Sequence, residues 1–201
     1  MNSVEFFRGF VRNPRGVGYV VPSSRALARS LITASELDGA RVIVEFGAGT
    51  GILTQEILEA MPWDCKLIAM EIDAQFAALL RKRFNDPRLT IYQGSAVELA
   101  VALGKIEADC ADVVISGIPF STLSLDLVKE ILATTRENLR VGGRFSSYQF
   151  RSHARALAEP YFGAPRVRAA LWNLPPMRIY TWIKGAETNR EQVVLGHHAS
   201  A

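Results

Sequence analysis

Apolar residues along this chain alternate between two spacings. Short β-branched runs, RVIVEF at 41–46, KLIAME at 66–71, LTIYQ at 89–93, CADVVIS at 110–116 and RFSSYQF at 144–150, read as strands, the first and fourth apolar on both faces. Between them, 52–61, 74–84, 95–103 and 124–139 place apolar residues three and four apart, as one face of a helix does, and Gly142-Gly143 is expected to close the last of them. This βαβ alternation predicts an α/β fold, a doubly wound and mostly parallel sheet. Two further extended runs, VRAALWNL and RIYTWIK, flank Pro175-Pro176 and predict an antiparallel pair that completes it.

Composition removes other classes. With 201 residues, 49% hydrophobic and 21% charged, the chain has the material for one domain with a real core, so disorder and collagen-like repeats are excluded. Cys65 and Cys110 lack any CxxC spacing and are expected to be buried and reduced, with neither a disulfide scaffold nor a metal site. No apolar run approaches about 18 residues and the first residues lack a signal-peptide pattern, which predicts a cytoplasmic protein, peripheral to a membrane at most.

Charge is divided more sharply than the net +3 indicates. Residues 1–30 carry five Arg against Glu5, and 140–184 carry eight basic residues against Glu159, whereas 31–139 carry nine basic against sixteen acidic. Basic ends around an acidic middle suit a polyanion, either phosphate backbone or anionic lipid.

The chemistry concentrates in EFGAGTG at 45–51, where the first strand ends and a helix opens. Glycines there let a ligand approach the backbone closely. The spacing differs from the G-x-G-x-x-G of dinucleotide sites, and Glu45 would repel a pyrophosphate, so a cationic ligand fits better. At the end of the second strand, Met70-Glu71-Ile72-Asp73 supplies an acid, Glu71, placed to accept both hydroxyls of a ribose.

These residues resemble the class I S-adenosylmethionine-dependent methyltransferases, over roughly residues 17–184. EFGAGTGILTQEIL followed by AMEID is similar to the branch shared by ribosomal RNA adenine dimethylases and bacterial phospholipid N-methyltransferases. GYVVPSSRALAR (18–29), YQF (148–150) and NLPPMRIY (173–180) resemble the phospholipid enzymes. Base-amino methyltransferases carry Asn-Leu/Ile-Pro-Phe/Tyr after the fourth strand, where an Asn side chain and a carbonyl grip the exocyclic amine. Here the run is Ser116-Gly117-Ile118-Pro119-Phe120, without the amide.

The resemblance implies a Rossmann-like, seven-stranded methyltransferase fold with N-terminal helices, and S-adenosylmethionine as cofactor. It implies that Glu45, Gly47, Gly49, Thr50 and Gly51 shape the methionine end of the cofactor site, with Ser23 contributing. Glu71 and Ile72 would meet the ribose, Gly94, Ser95 and Ala96 would flank the adenine, and Ser116 and Gly117 would border the transfer point. The related proteins commonly place an Asp after the third strand, where this chain has Gln93-Gly94-Ser95-Ala96.

On this reading the acceptor is the amine of a membrane phospholipid, phosphatidylethanolamine, methylated towards phosphatidylcholine, with no nucleic acid involved. That amine has a pKa of roughly 10 and must shed a proton before attack. Tyr19 is the first candidate to bind it and relay the proton, with Tyr148 and Tyr180 as alternatives and Pro119-Phe120 as an apolar wall. His153 reads as a solvent-facing residue at a helix start. Arg151, Arg155, Arg166, Arg168 and Arg178 are available for the headgroup phosphate. Residues 1–15 predict a basic amphipathic helix, with Phe6, Phe7 and Phe10 beside Arg8 and Arg12, that anchors to an anionic membrane surface or packs on its own domain. The methyltransferase domain then covers 16–184 and a polar tail 185–201. The alternatives are an RNA adenine N-methyltransferase, and a non-catalytic module that binds cofactor or membrane.

Overall fold

A computed structural model of the chain describes residues 25–149, 153–170 and 177–186. Its strands are β1 (Val42–Phe46), β2 (Lys66–Glu71), β3 (Leu89–Gln93), β4 (Ala111–Ser116), β5 (Leu139–Gln149), β6 (Arg166–Ala170) and β7 (Met177–Ile183). They form one sheet in the order β3-β2-β1-β4-β5-β7-β6, parallel except for β7, which runs against both its neighbours. The order reverses between β1 and β4. In open α/β sheets, ligands bind at such a reversal, outside the C-terminal strand ends.

The helices are α1 (Arg25–Ser35), α2 (Ile52–Ala60), α3 (Ala74–Arg83), α4 (Leu99–Gly104), α5 (Leu125–Asn138) and α6 (His153–Phe162). Alternating strand residues sort them onto two faces. Val44, Phe46, Ile68 and Val114 pack with Leu99 of α4, Val128 and Leu132 of α5 and Phe162 of α6. Ile43, Leu67, Val113 and Ile115 pack on the other side with Leu27 and Leu31 of α1 and Ile57 of α2. β1 and β4 are almost wholly buried, as their two-sided apolar runs predict.

Two local outcomes differ from the pattern-based expectation. Helix α5 ends at Asn138, and Gly142-Gly143 do not close it. They sit inside β5, where the register shifts between Ala111 and Val113, and their main chain pairs with Lys184 beyond β7. A Cβ on Gly143 would lie 2.8 Å from the Arg140 carbonyl and 2.9 Å from that of Asp112. Close backbone approach, rather than helix termination, therefore accounts for that glycine. The other is helix α1, which the apolar spacing did not mark although the resemblance implied N-terminal helices; an Arg29–Glu56 ion pair at 2.8 Å holds it. Cys65 is buried, its thiol pushed up to about 11 by desolvation, and Cys110 is half-buried; neither forms a disulfide.

Candidate functional site

At the end of β1 the chain passes through Gly47, Gly49 and Gly51 with φ of +75°, +55° and +81°, all left-handed. Gly51 then precedes α2, and a Cβ there would lie 2.6 Å from Phe84 and 2.8 Å from Leu80. The turn is tied to the end of β2 by main-chain bonds from Gly47 and Ala48 to the Met70 carbonyl, at 2.9 and 3.2 Å.

Glu71 locks the same junction. Its Oε2 accepts the Gly49 N–H at 2.7 Å and its Oε1 the Asp73 N–H at 2.9 Å. Burial pushes its carboxyl up, and those two N–H donors hold it down. Asp73 in turn caps α3 by accepting from the N–H groups of Gln75 and Phe76. At the end of the adjacent strand β3, the Gly94 N–H donates to the Glu71 carbonyl at 3.0 Å, and Ser95 and Glu98 form a reciprocal cap that fixes residues 94–96.

Glu45 lies beneath this turn with no exposed surface. Thr54 of α2 donates to its Oε2 at 2.6 Å, while Oε1 has no partner among the described residues. Desolvation pushes its carboxyl up to about 8.

The loops after β1, β2, β3 and β4 surround an open cavity lined by Gly47, Met70, Ile72, Gly94, Ser95, Ala96, Ile118, Leu123, Leu127 and Ile131. Gly47, Ile72 and residues 94–96 are thus brought together around one cavity. Met70 and Ile118 were missed, as was the Leu123, Leu127, Ile131 stripe; its spacing of four residues is legible, but it is equally the signature of a core face. Thr50 is exposed, and its carbonyl accepts from Arg83 at 2.6 Å.

Beyond β4, the Gly117 N–H donates to the Phe46 carbonyl at 2.8 Å and the Ile118 N–H to Ser116 Oγ at 3.2 Å. Ser116 is fully buried and its hydroxyl holds the loop. A Cβ on Gly117 would stand 3.2 Å from the Gly47 carbonyl and 3.7 Å from the Tyr148 hydroxyl, so Tyr148 borders the point where a base-amino enzyme carries its amide.

Two expected substrate residues lie elsewhere. Phe120 begins a short 3-10 turn, Phe120–Thr122, that carries its ring inward to stack on Phe145 with centroids 6.4 Å apart. Tyr180 shares the inward face of β7 with Trp182, whose ring lies 5.7 Å away, and is 1% exposed. Both are core residues, and Ile118 rather than Phe120 faces the cavity; Pro119 is half-buried and does not line it. Arg155, Arg166, Arg168 and Arg178 are exposed. Tyr19, Ser23, Arg151 and the helix bearing Phe6, Phe7, Arg8, Phe10 and Arg12 lie outside the described residues. Among those described, no helix is long and apolar enough to cross a membrane, and no group of three or more His, Cys, Asp or Glu could hold a metal.

S-adenosylmethionine fits this geometry. A carboxylate offers about four acceptor positions, so Glu71, 2% exposed between the cavity-lining Met70 and Ile72, is the residue that would take ribose hydroxyls beside its backbone bonds. The strip from Ala96 to Ile131 offers an apolar seat for a flat base, and the glycine turn admits a ligand against bare backbone.

Fold and site together define a class I S-adenosylmethionine-dependent methyltransferase. Residues 23–151 match the model of the ribosomal RNA adenine dimethylase family, and the chain belongs to that family. Over 142 residues it is 32% identical to an ornithine lipid N-methyltransferase of Singulisphaera acidiphila, covering 70% of this chain and 74% of that protein. It is also 36% identical over 75 residues to ribosomal RNA small subunit methyltransferase A of Thermotoga maritima, covering 37% of this chain and 26% of that protein. The chain therefore spans only about a quarter of that ribosomal RNA relative. The crystal structure of human N-acetylserotonin methyltransferase in complex with S-adenosylmethionine shares the fold, with a TM-score of 0.65 at 13% identity, over 92% of this chain and 61% of that one.

Proposed function

We propose that this methyltransferase acts on the amine headgroup of a membrane lipid, with phosphatidylethanolamine as the acceptor, methylated towards phosphatidylcholine. The observation that carries the reading is the loop after β4. Position 117 is a glycine, and the Tyr148 hydroxyl stands 3.7 Å from where its Cβ would begin. The neighbouring Ile118 carbonyl already accepts from Gln149 at 3.0 Å. The two-point grip on a planar base amine is thereby replaced by one hydroxyl beside a small residue, which suits a compact tetrahedral amine. The ornithine lipid N-methyltransferase relative, matched over most of its length, supports the same class of acceptor.

The cofactor supplies an electrophilic methyl group for in-line displacement by an amine lone pair. On this reading the acceptor lies beside Gly117, where Tyr148 accepts a hydrogen bond from the ammonium and passes its proton towards solvent; Tyr19, outside the described residues, is the other candidate for that role. Aromatic faces also suit the cationic products. Residues 1–15 bring this site to the cytoplasmic face of an anionic membrane.

The test is transfer of labelled methyl from S-adenosylmethionine to phosphatidylethanolamine vesicles, ornithine lipid vesicles and total RNA in parallel, with the full chain and a form lacking residues 1–13. Label in the phosphatidylethanolamine phase, reduced by the deletion, is the expected outcome. Label in ornithine lipid alone would correct the headgroup. Label in RNA would establish the second reading, adenine N6-methylation, which the family match over 23–151 favours.

A further inference from the structure

The C-terminal end of β5 carries a side-chain amide that the reaction described above does not employ. Gln149 is 5% exposed, and its Nε2 donates to the Ile118 carbonyl at 3.0 Å and to Ser147 Oγ at 2.9 Å. Because a carbonyl only accepts, the amide's NH2 end must face Ile118. Strand β5 is interior, paired with β4 on one side and β7 on the other, so this donor is mounted on a stiff element. The loop it grips is otherwise held by the Gly117 bond to Phe46 and the local Ile118–Ser116 bond. Ile118 is also where that loop meets the cofactor side. It lines the cavity, and its Cγ1 lies 3.0 Å from the place a Cβ on Gly47 would occupy.

We propose that Gln149 is a positioning residue for methyl transfer. By holding the Ile118 carbonyl it sets how far the 116–118 loop stands over the cavity, and so the separation of acceptor amine and methyl group. In-line displacement makes that separation consequential, since a misplacement of about 1 Å can cost roughly a hundredfold in rate. The Ser147 bond fixes the plane of the amide, so the hold is directional. The inference rests on the methyltransferase reading of the site and, for its acceptor, on the lipid reading.

The experiment compares the full chain with Gln149→Leu and Gln149→Glu, measuring kcat and KM on phosphatidylethanolamine vesicles, S-adenosylmethionine affinity by calorimetry, and Tm. Gln149→Leu, similar in size but without a donor, is expected to lose about 10- to 100-fold in kcat, with KM and cofactor affinity changed less than about threefold. Gln149→Glu can donate to Ile118 only while protonated, so its kcat relative to wild type at the same pH should rise as pH falls. A purely structural role would lower Tm, leave the kcat of the folded protein intact, and keep that ratio flat. Wild-type kcat in Gln149→Leu, or a flat ratio in Gln149→Glu, overturns the proposal, and the second variant decides if the first does not fold. Failure of the lipid reading looks different: wild type labels RNA instead, and the same split and ratio are read there. Transfer to neither overturns both.

Discussion

Gly51 and Gly117 follow adjacent strands, β1 and β4, yet they do different work. Gly51 sits at φ +81° with Phe84 and Leu80 within 2.8 Å of any added Cβ, so both its conformation and its surroundings demand glycine. Gly117 is outside the left-handed region, and its nearest would-be contact is the Gly47 carbonyl at 3.2 Å. The cofactor side is thus built from backbone forced into special shapes and tied to the Glu71 carboxylate at the end of the adjacent strand β2. The acceptor side is built from what neighbouring strands deliver: Tyr148 and Gln149 from β5, against a loop from β4. Its glycine answers the close approach of the Gly47 and Phe46 carbonyls rather than a left-handed conformation.

The sharpest break of this contrast is Gly51→Ala against Gly117→Ala. Left-handed strain and overpacking together should destabilise the first by about 2–4 kcal/mol, and the second by about 1 kcal/mol or less. Denaturant unfolding of both variants measures it, and equal losses would erase the distinction. Next in size, Glu71→Ala should weaken S-adenosylmethionine binding by about 1.5–3 kcal/mol if its carboxylate takes the ribose hydroxyls as it takes the Gly49 N–H. Wild-type affinity in calorimetry would remove Glu71 from the site.

The third effect is absent at acid pH and grows with alkalinity. The Glu45 carboxyl is raised to about 8 in the fold from an ordinary 4.5, so between those values the native state holds a proton that the unfolded chain releases. Stability therefore falls as pH rises from about 4.5 through 8. Glu45→Gln keeps an acceptor for Thr54 and removes the titration, so its unfolding free energy should show a weaker decline from pH 5 to pH 8.5. A decline as steep as wild type would assign the pH dependence to other groups.

Much of this was legible before any coordinates. The strand and helix alternation specified a doubly wound sheet, because burying both faces of β1 and β4 demands helices on each side. The glycine turn was legible too, since positive φ is a local requirement that restricts residue type. The antiparallel last pair followed from two extended runs around a Pro-Pro break. Where sequence reasoning went astray, it met contacts between residues distant along the chain. Phe120 and Tyr180 read as substrate aromatics because ring chemistry is the same in a cleft and in a core; the stacking of Phe120 on Phe145 and the burial of Tyr180 in the cluster that holds Phe145 and Trp182 exist only once β4, β5 and β7 are side by side. Gly142-Gly143 read as a helix end because local φ freedom serves a turn and a strand irregularity alike. Gln149 entered only as part of the YQF run, with no role of its own, since a glutamine in a strand is ordinary until the Ile118 carbonyl appears beside it. What the sequence by itself determined is whatever one stretch of backbone must do to keep its own geometry. What tertiary structure alone decided is which side chains from separate strands share a volume, because that depends on sheet order and register, which no single stretch contains.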